Sequence, residues 1–129
     1  MNPVTIAQHH PTRRLAFAVL APLLLTATVA VAIAQGTGYW QIAAFGLGPD
    51  IALFAGIGSG LERGQLHPRA VPLYNALHTM WLPIVLAAAA LLGIVSTAYL
   101  VGAFAWAFHI SLDRAVGYGL RTRDGFQRS

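Results

Sequence analysis

Charge is nearly absent from three long stretches of this chain. Residues 15–49, 51–61 and 70–112 contain no Asp, Glu, Lys or Arg. Such runs cannot make a water-facing surface: ordinary soluble domains carry about 25% charged residues, and here the share is 9%. The chain is 57% hydrophobic and has no cysteine, which excludes a disordered polypeptide and a disulfide scaffold. The pattern is that of an integral membrane protein, with the lipid bilayer as its first partner. The formal charge of +4 is no nucleic-acid signature, because no basic run interleaves with aromatics as a base-stacking surface requires.

A helix needs about 20 apolar residues to cross the hydrocarbon core, and four such helices account for the charge-poor runs. The first expected span is 15–34. Gln35-Gly36-Thr37-Gly38 reads as a turn, and Tyr39-Trp40 suits the membrane interface. The second span, 40–61, contains Gly48-Pro49-Asp50. Pro49 has no N–H and clashes with the preceding turn, so this helix is expected to kink or break there, with Asp50 capping its second half. The run from 70 to 112 is too long for one helix and divides into spans 70–92 and 96–117, with Gly93 and Ser96 at the turn.

The expected architecture is therefore all-α: an integral-membrane four-helix transmembrane bundle, its second helix kinked or broken at Pro49. It comprises an N-tail 1–14, a transmembrane domain 15–120 and a C-tail 121–129. The arginines, at 13, 14, 63, 69, 114, 121, 123 and 128, all fall on the side shared by the tails and the middle loop. The positive-inside rule then places both termini in the cytoplasm of a multi-pass plasma-membrane protein, and the tail from Arg121 to Arg128 is expected against anionic headgroups. Arg13-Arg14 and Ala32-Ile33-Ala34 also frame a cleavable signal, or a twin-arginine one. The apolar run between them, about 20 residues, exceeds the 7–15 of a signal core.

Ionisable groups inside spans are costly, about 2.5–3.5 kcal/mol for Asp on the insertion scale, and normally face the bundle interior with a function. Four stand out: Asp50 in the second span, His78 in the third, and His109 and Asp113 in the fourth. His109 and Asp113 are four residues apart and share a helix face, as do Asn75 and His78, three apart. On continuous helices rising 1.5 Å per residue, His78 and His109 both lie about 12 Å deep and Asp50 about 17 Å.

This set serves several chemistries. Imidazoles and carboxylates ligate a divalent transition metal, which would make His78, His109, Asp113 and Asp50 its ligands. The same groups act as general acid and base on a lipophilic small molecule entering from the bilayer. In that enzymatic reading His109 is the base, oriented by Asp113, with His78 and Asp50 facing it; Arg114 neutralises an anionic group and Tyr118 caps the cytoplasmic mouth. A proton relay in a small proton-coupled transporter, working as a homo-oligomer, uses them as well. So does a structural or accessory protein in which Asp113 pairs with Arg114 or Arg121. His9-His10 and His67 fall in tails and loops, where solvation is expected. Trp40, Trp81 and Trp106 suit interface or packing roles.

The string His109-Ile-Ser-Leu-Asp113-Arg114-Ala-Val-Gly117-Tyr118-Gly119-Leu120-Arg121 resembles a bacterial family of small integral-membrane proteins, the domain of unknown function 4260. Gly48-Pro49-Asp50 and Tyr74-Asn75-x-x-His78 are similar to its other motifs, and the likeness runs from about Tyr39 to Phe126. Leu112, where an aromatic is common, and Arg121, where a Lys is common, depart from the pattern. The resemblance implies about four helical spans and no particular activity. It marks Asp50, Asn75, His78, His109, Asp113, Arg114 and Tyr118 as a motif set.

Overall fold

The computed structural model describes residues 11–128, so His9, His10 and the rest of the N-tail through residue 10 lie outside the described residues. Helices α1 (Pro11–Gln35), α2 (Tyr39–Leu47), α3 (Ile51–Ala55), α4 (Val71–Leu77), α5 (Trp81–Leu91) and α6 (Ala98–Val116) follow one another, with 3-10 turns at Gly48–Asp50 and Pro68–Ala70. Among the described residues the chain is all-α; an isolated antiparallel bridge joins Arg121 to Gln127.

α6 organises the bundle, packing against α1, α2 and α5. Its buried face is built of small residues, Ala98, Gly102, Ala103 and Ala105 among them, which let neighbouring backbones approach closely. A β-carbon at Gly102 would lie 2.7 Å from the Phe45 ring of α2. α1 answers with its own small buried stripe of Ala21, Thr28 and Ala32. At about 1.5 Å per residue α1 is about 37 Å long, more than the hydrocarbon core of about 30 Å. It is the one described helix that by itself is long and apolar enough to cross a membrane, whereas the segment 68–77 and α5 meet that test only as a pair bent by 41°.

Breaks in the helices follow from local chemistry. Pro49 cannot donate to the carbonyl four residues back, and α2 passes through the 3-10 turn Gly48–Asp50 into α3. α3 stops at Ala55 instead of continuing to Leu61. Gly56, Gly58 and Gly60 are poor helix formers, the Leu66 side chain occupies the space a β-carbon at Gly56 would need, and Arg69 donates to the freed carbonyls of Ala55 and Ile57. Asp50 thus lies about 8 Å from the end of its helical segment, shallower than a continuous helix would place it.

The expected continuous span 70–92 is broken at 78–80. Pro83 sits in the first turn of α5 and has no N–H for the Thr79 carbonyl, so α4 ends at Leu77. Trp106 Nε1 donates to the Leu77 carbonyl at 2.7 Å, and Arg114 Nη2 donates to that of His78 at 2.7 Å. Two side chains of α6 therefore satisfy the carbonyls the break exposes. α5 and α6 each close in a Schellman turn, Ile94 N–H to Ala89 and Tyr118 N–H to Asp113. The second turn requires Gly117, at φ 101°.

That turn sends the C-terminal segment back over the protein. Residues 120–128 form a small folded clip, with Arg128 N–H bonded to Leu120 and Thr122 N–H to Phe126. The clip docks on the middle loop: Leu66 N–H donates to the Gly125 carbonyl at 2.9 Å, and Gln65 Nε2 to that of Asp124 at 2.8 Å. The tail from Arg121 to Arg128 thus has a docking partner within the chain itself.

Candidate metal centre

Three helix segments bring Asp50, His78, His109 and Asp113 to one point. Asp50 closes the 3-10 turn between α2 and α3; His78 caps α4 at its break; His109 and Asp113 stand one turn apart on α6. His78 Nε2 lies 3.4 Å from Asp50 Oδ1 and 3.4 Å from Asp113 Oδ2. His109 Nε2 lies 3.3 Å and 3.6 Å from the same two oxygens. The two Nε2 atoms are 3.3 Å apart. One ligand atom from each of the four residues falls within 4.8 Å of every other.

The other nitrogen of each ring decides what this means. His78 Nδ1 is 2.8 Å from the Tyr74 carbonyl oxygen, and His109 Nδ1 is 2.8 Å from that of Gly46. A carbonyl only accepts, so both Nδ1 atoms carry the proton and donate. In the neutral rings both Nε2 atoms are then lone pairs. Two nitrogen lone pairs and two carboxylates face one another, and among the described residues no N–H or O–H donates to either carboxylate. Four acceptors without a donor are not a self-satisfied hydrogen-bond network.

This arrangement fits a divalent cation. Two carboxylates balance its charge, and imidazole Nε2 with carboxylate oxygen is a borderline-hard donor set. Backbone carbonyls on both Nδ1 atoms are the usual outer partners of metal-ligating histidine. Four N and O ligands held tetrahedrally at about 2.0–2.1 Å are spaced about 3.3–3.4 Å apart, close to the five separations that involve an imidazole here.

His78 and His109 are buried, their side chains 0% and 10% exposed, while Asp113 is 21% and Asp50 47% exposed. The cluster therefore opens at the surface on its Asp50 side. The exposed neighbours along the chain there are apolar: Leu47, Ile51 and Phe54.

The remaining motif residues lie around the cluster rather than in it. Arg114 hydrogen-bonds the carbonyls of His78 and Tyr118 and pairs with neither carboxylate. Tyr118 is exposed, its carbonyl accepting from Arg114. Asn75 faces the C-terminal clip, not His78. Arg121 is bound to Gly64 and Gly125, away from Asp113. His67 Nδ1 accepts from Arg69 N–H and caps the Pro68–Ala70 turn. Trp40 meets Tyr99 edge-on with centroids 6.2 Å apart, and Trp81 is exposed.

Sequence reasoning missed three contributors: Trp106, which staples the α4 break; the Gly46 carbonyl; and Tyr74, which contacts His78 twice. Pro83 was the available signal for the break. Nothing in the sequence distinguishes the Gly46 carbonyl from any other.

The model of the family described as Domain of unknown function (DUF4260) matches residues 16–129. The chain belongs to that family. No curated protein and no solved structure matches it.

Proposed function

We propose that this member of the family is a multi-pass membrane protein that holds one divalent transition-metal ion between Asp50, His78, His109 and Asp113, and acts as an enzyme on a lipophilic substrate. The observation that carries the metal is the convergence of four acceptor atoms with both Nδ1–H groups turned outward to carbonyls. When bound, such an ion polarises an oxygen-bearing group as a Lewis acid. The chain's own part is to fix both imidazoles by their carbonyl partners and to keep the half-exposed Asp50 at the entrance. Leu47, Ile51 and Phe54 around that entrance support a substrate arriving from lipid.

Four spans are read here as α1, α2 with α3, α4 with α5, and α6. Large apolar side chains exposed on successive elements support this, among them Leu15, Leu23, Phe54, Ile84 and Leu91; in water such a surface would aggregate. The packing of α1 on α6, with Arg14 Nε donating to the Ala115 carbonyl, supports its retention as a bundle helix.

The test is metal content by mass spectrometry on gently solubilised full-length protein, wild type beside His109→Ala. About one equivalent of a transition metal in the wild type, lost in the variant, is expected. Absence of metal from the wild type after re-addition overturns the reading. The second reading, a proton-coupled oligomeric transporter, is favoured then by the 3.3 Å Nε2–Nε2 approach. In that reading one ring takes up a second proton in turn and donates it across the pair.

A further inference from the structure

Tyr74 holds His78 in two ways. Its carbonyl accepts from His78 Nδ1, and its ring stacks on the imidazole with centroids 4.0 Å apart and planes inclined by 15°. The first contact fixes which nitrogen carries the proton and the second fixes the ring plane, the two properties that aim Nε2 at the cluster.

What holds Tyr74 comes from the far end of the chain. Arg121 lies over its ring, Cζ 4.9 Å from the centroid, and Gln127 Nε2 reaches its hydroxyl at 3.5 Å. The adjacent Asn75 exchanges two bonds with the Arg121 backbone: Asn75 Nδ2 donates to the Arg121 carbonyl at 3.0 Å, and Arg121 N–H donates to Asn75 Oδ1 at 2.7 Å. The Arg121 guanidinium is itself tied down, donating to the carbonyls of Gly64 and Gly125. None of these residues touches the four ligand atoms, yet each ends on the side chain or the neighbour that orients one of them.

We propose that residues 120–128 are a clip that sets the ring plane and tautomer of His78, with Arg121 and Tyr74 as positioning residues. Its effect on metal affinity rests on the metal reading above; its effect on the His78 ring does not. His109 takes its carbonyl from Gly46 on α2, and none of the clip's contacts with Tyr74 or Asn75 reaches it. The two histidines, alike in their Nδ1 bonds, thus serve as test and internal control. By linkage, a clip that raises metal affinity is steadied by the bound ion by the same factor.

The experiment is nitrogen-15 NMR of the imidazoles in the metal-free full chain in micelles, followed by titration with Co²⁺. In the wild type both rings are expected as the Nδ1–H form. In Arg121→Ala the His78 resonances move toward a mixture of tautomers while those of His109 stay, and Co²⁺ affinity falls about tenfold. Gly125→Ala does the same from a distance, because a β-carbon there would run into the Leu66 carbonyl at φ 96°. Unmoved His78 resonances in Arg121→Ala overturn the clip, as does an equal shift of His109, which would report general loosening. A His78 that responds in a protein taking up no Co²⁺ upholds the clip and removes the metal.

Discussion

Replacing Asp113 by Asn should stabilise the metal-free protein and weaken the metal-loaded one. Asp113 Oδ2 stands 3.4 Å from one imidazole nitrogen and 3.6 Å from the other, both lone pairs once the Nδ1 protons are committed to Tyr74 and Gly46. A buried acceptor left without a donor costs about 1–3 kcal/mol, and more when it is charged. The Asn amide can turn its N–H into the same space and donate to Nε2, a bond worth about 1 kcal/mol. Because the Asp113 side chain is 21% exposed, water already covers part of that deficit. A net gain of about 1–2 kcal/mol for the variant in chelator is therefore expected. A divalent ion reverses the order. At about a hundred times its Kd it stabilises the wild type by about 2.7 kcal/mol, whereas the variant has lost an anionic ligand. The assay is reversible unfolding in micelles at pH 8, where an ordinary imidazole is neutral, with chelator and with zinc. Asp50→Asn serves as the comparison: at 47% exposure its carboxylate is better hydrated and its replacement should matter less. If Asp113→Asn is less stable than wild type in chelator, the metal-free cluster is satisfied by its own protons and the acceptor argument is wrong.

Two further expectations concern the frame of the site. Trp106→Phe keeps the aromatic packing on Phe45, 5.8 Å away, but leaves the Leu77 carbonyl at the α4 break without its donor; denaturant unfolding should show a loss of about 1–3 kcal/mol, and no loss would mean water replaces the indole. The chain has no cysteine, so single Arg63→Cys and Ser96→Cys variants can be labelled in intact cells with a membrane-impermeant thiol reagent. Ser96→Cys should react from outside and Arg63→Cys only after permeabilisation; equal reactivity from one side would refute the four-span topology.

The four-residue cluster was legible because a carboxylate or imidazole within or at the edge of an apolar run has few physical reasons to be there. His78, His109, Asp113 and Asp50 each stand out in the sequence on that ground. Their aim was not legible, and the reason is chemical. Each imidazole is oriented by a main-chain carbonyl, a group that every residue supplies, so no side-chain pattern marks Gly46 or Tyr74 for the task. Periodicity also assumes a continuous helix. That assumption fails at Pro49 and again at 78–80, ahead of Pro83. The early stop of α3 at Ala55 brings Asp50 closer to the helix end, and the break at 78–80 leaves His78 at a C-cap, where Trp106 and Arg114 can hold the exposed carbonyls. The prolines should be read together with the ionisable residues near them: Pro49 immediately precedes Asp50, and Pro83 lies five residues after His78. A proline beside a lone ionisable group in an apolar run marks where a straight helix ends, and that end gives a buried side chain a direction that a straight helix face does not. The clip was hidden for a different reason. Arg121 looks like any basic residue after a span, and its contact with Gly64 reaches a loop more than fifty residues earlier in the chain, a separation at which neither charge counting nor helical spacing carries information.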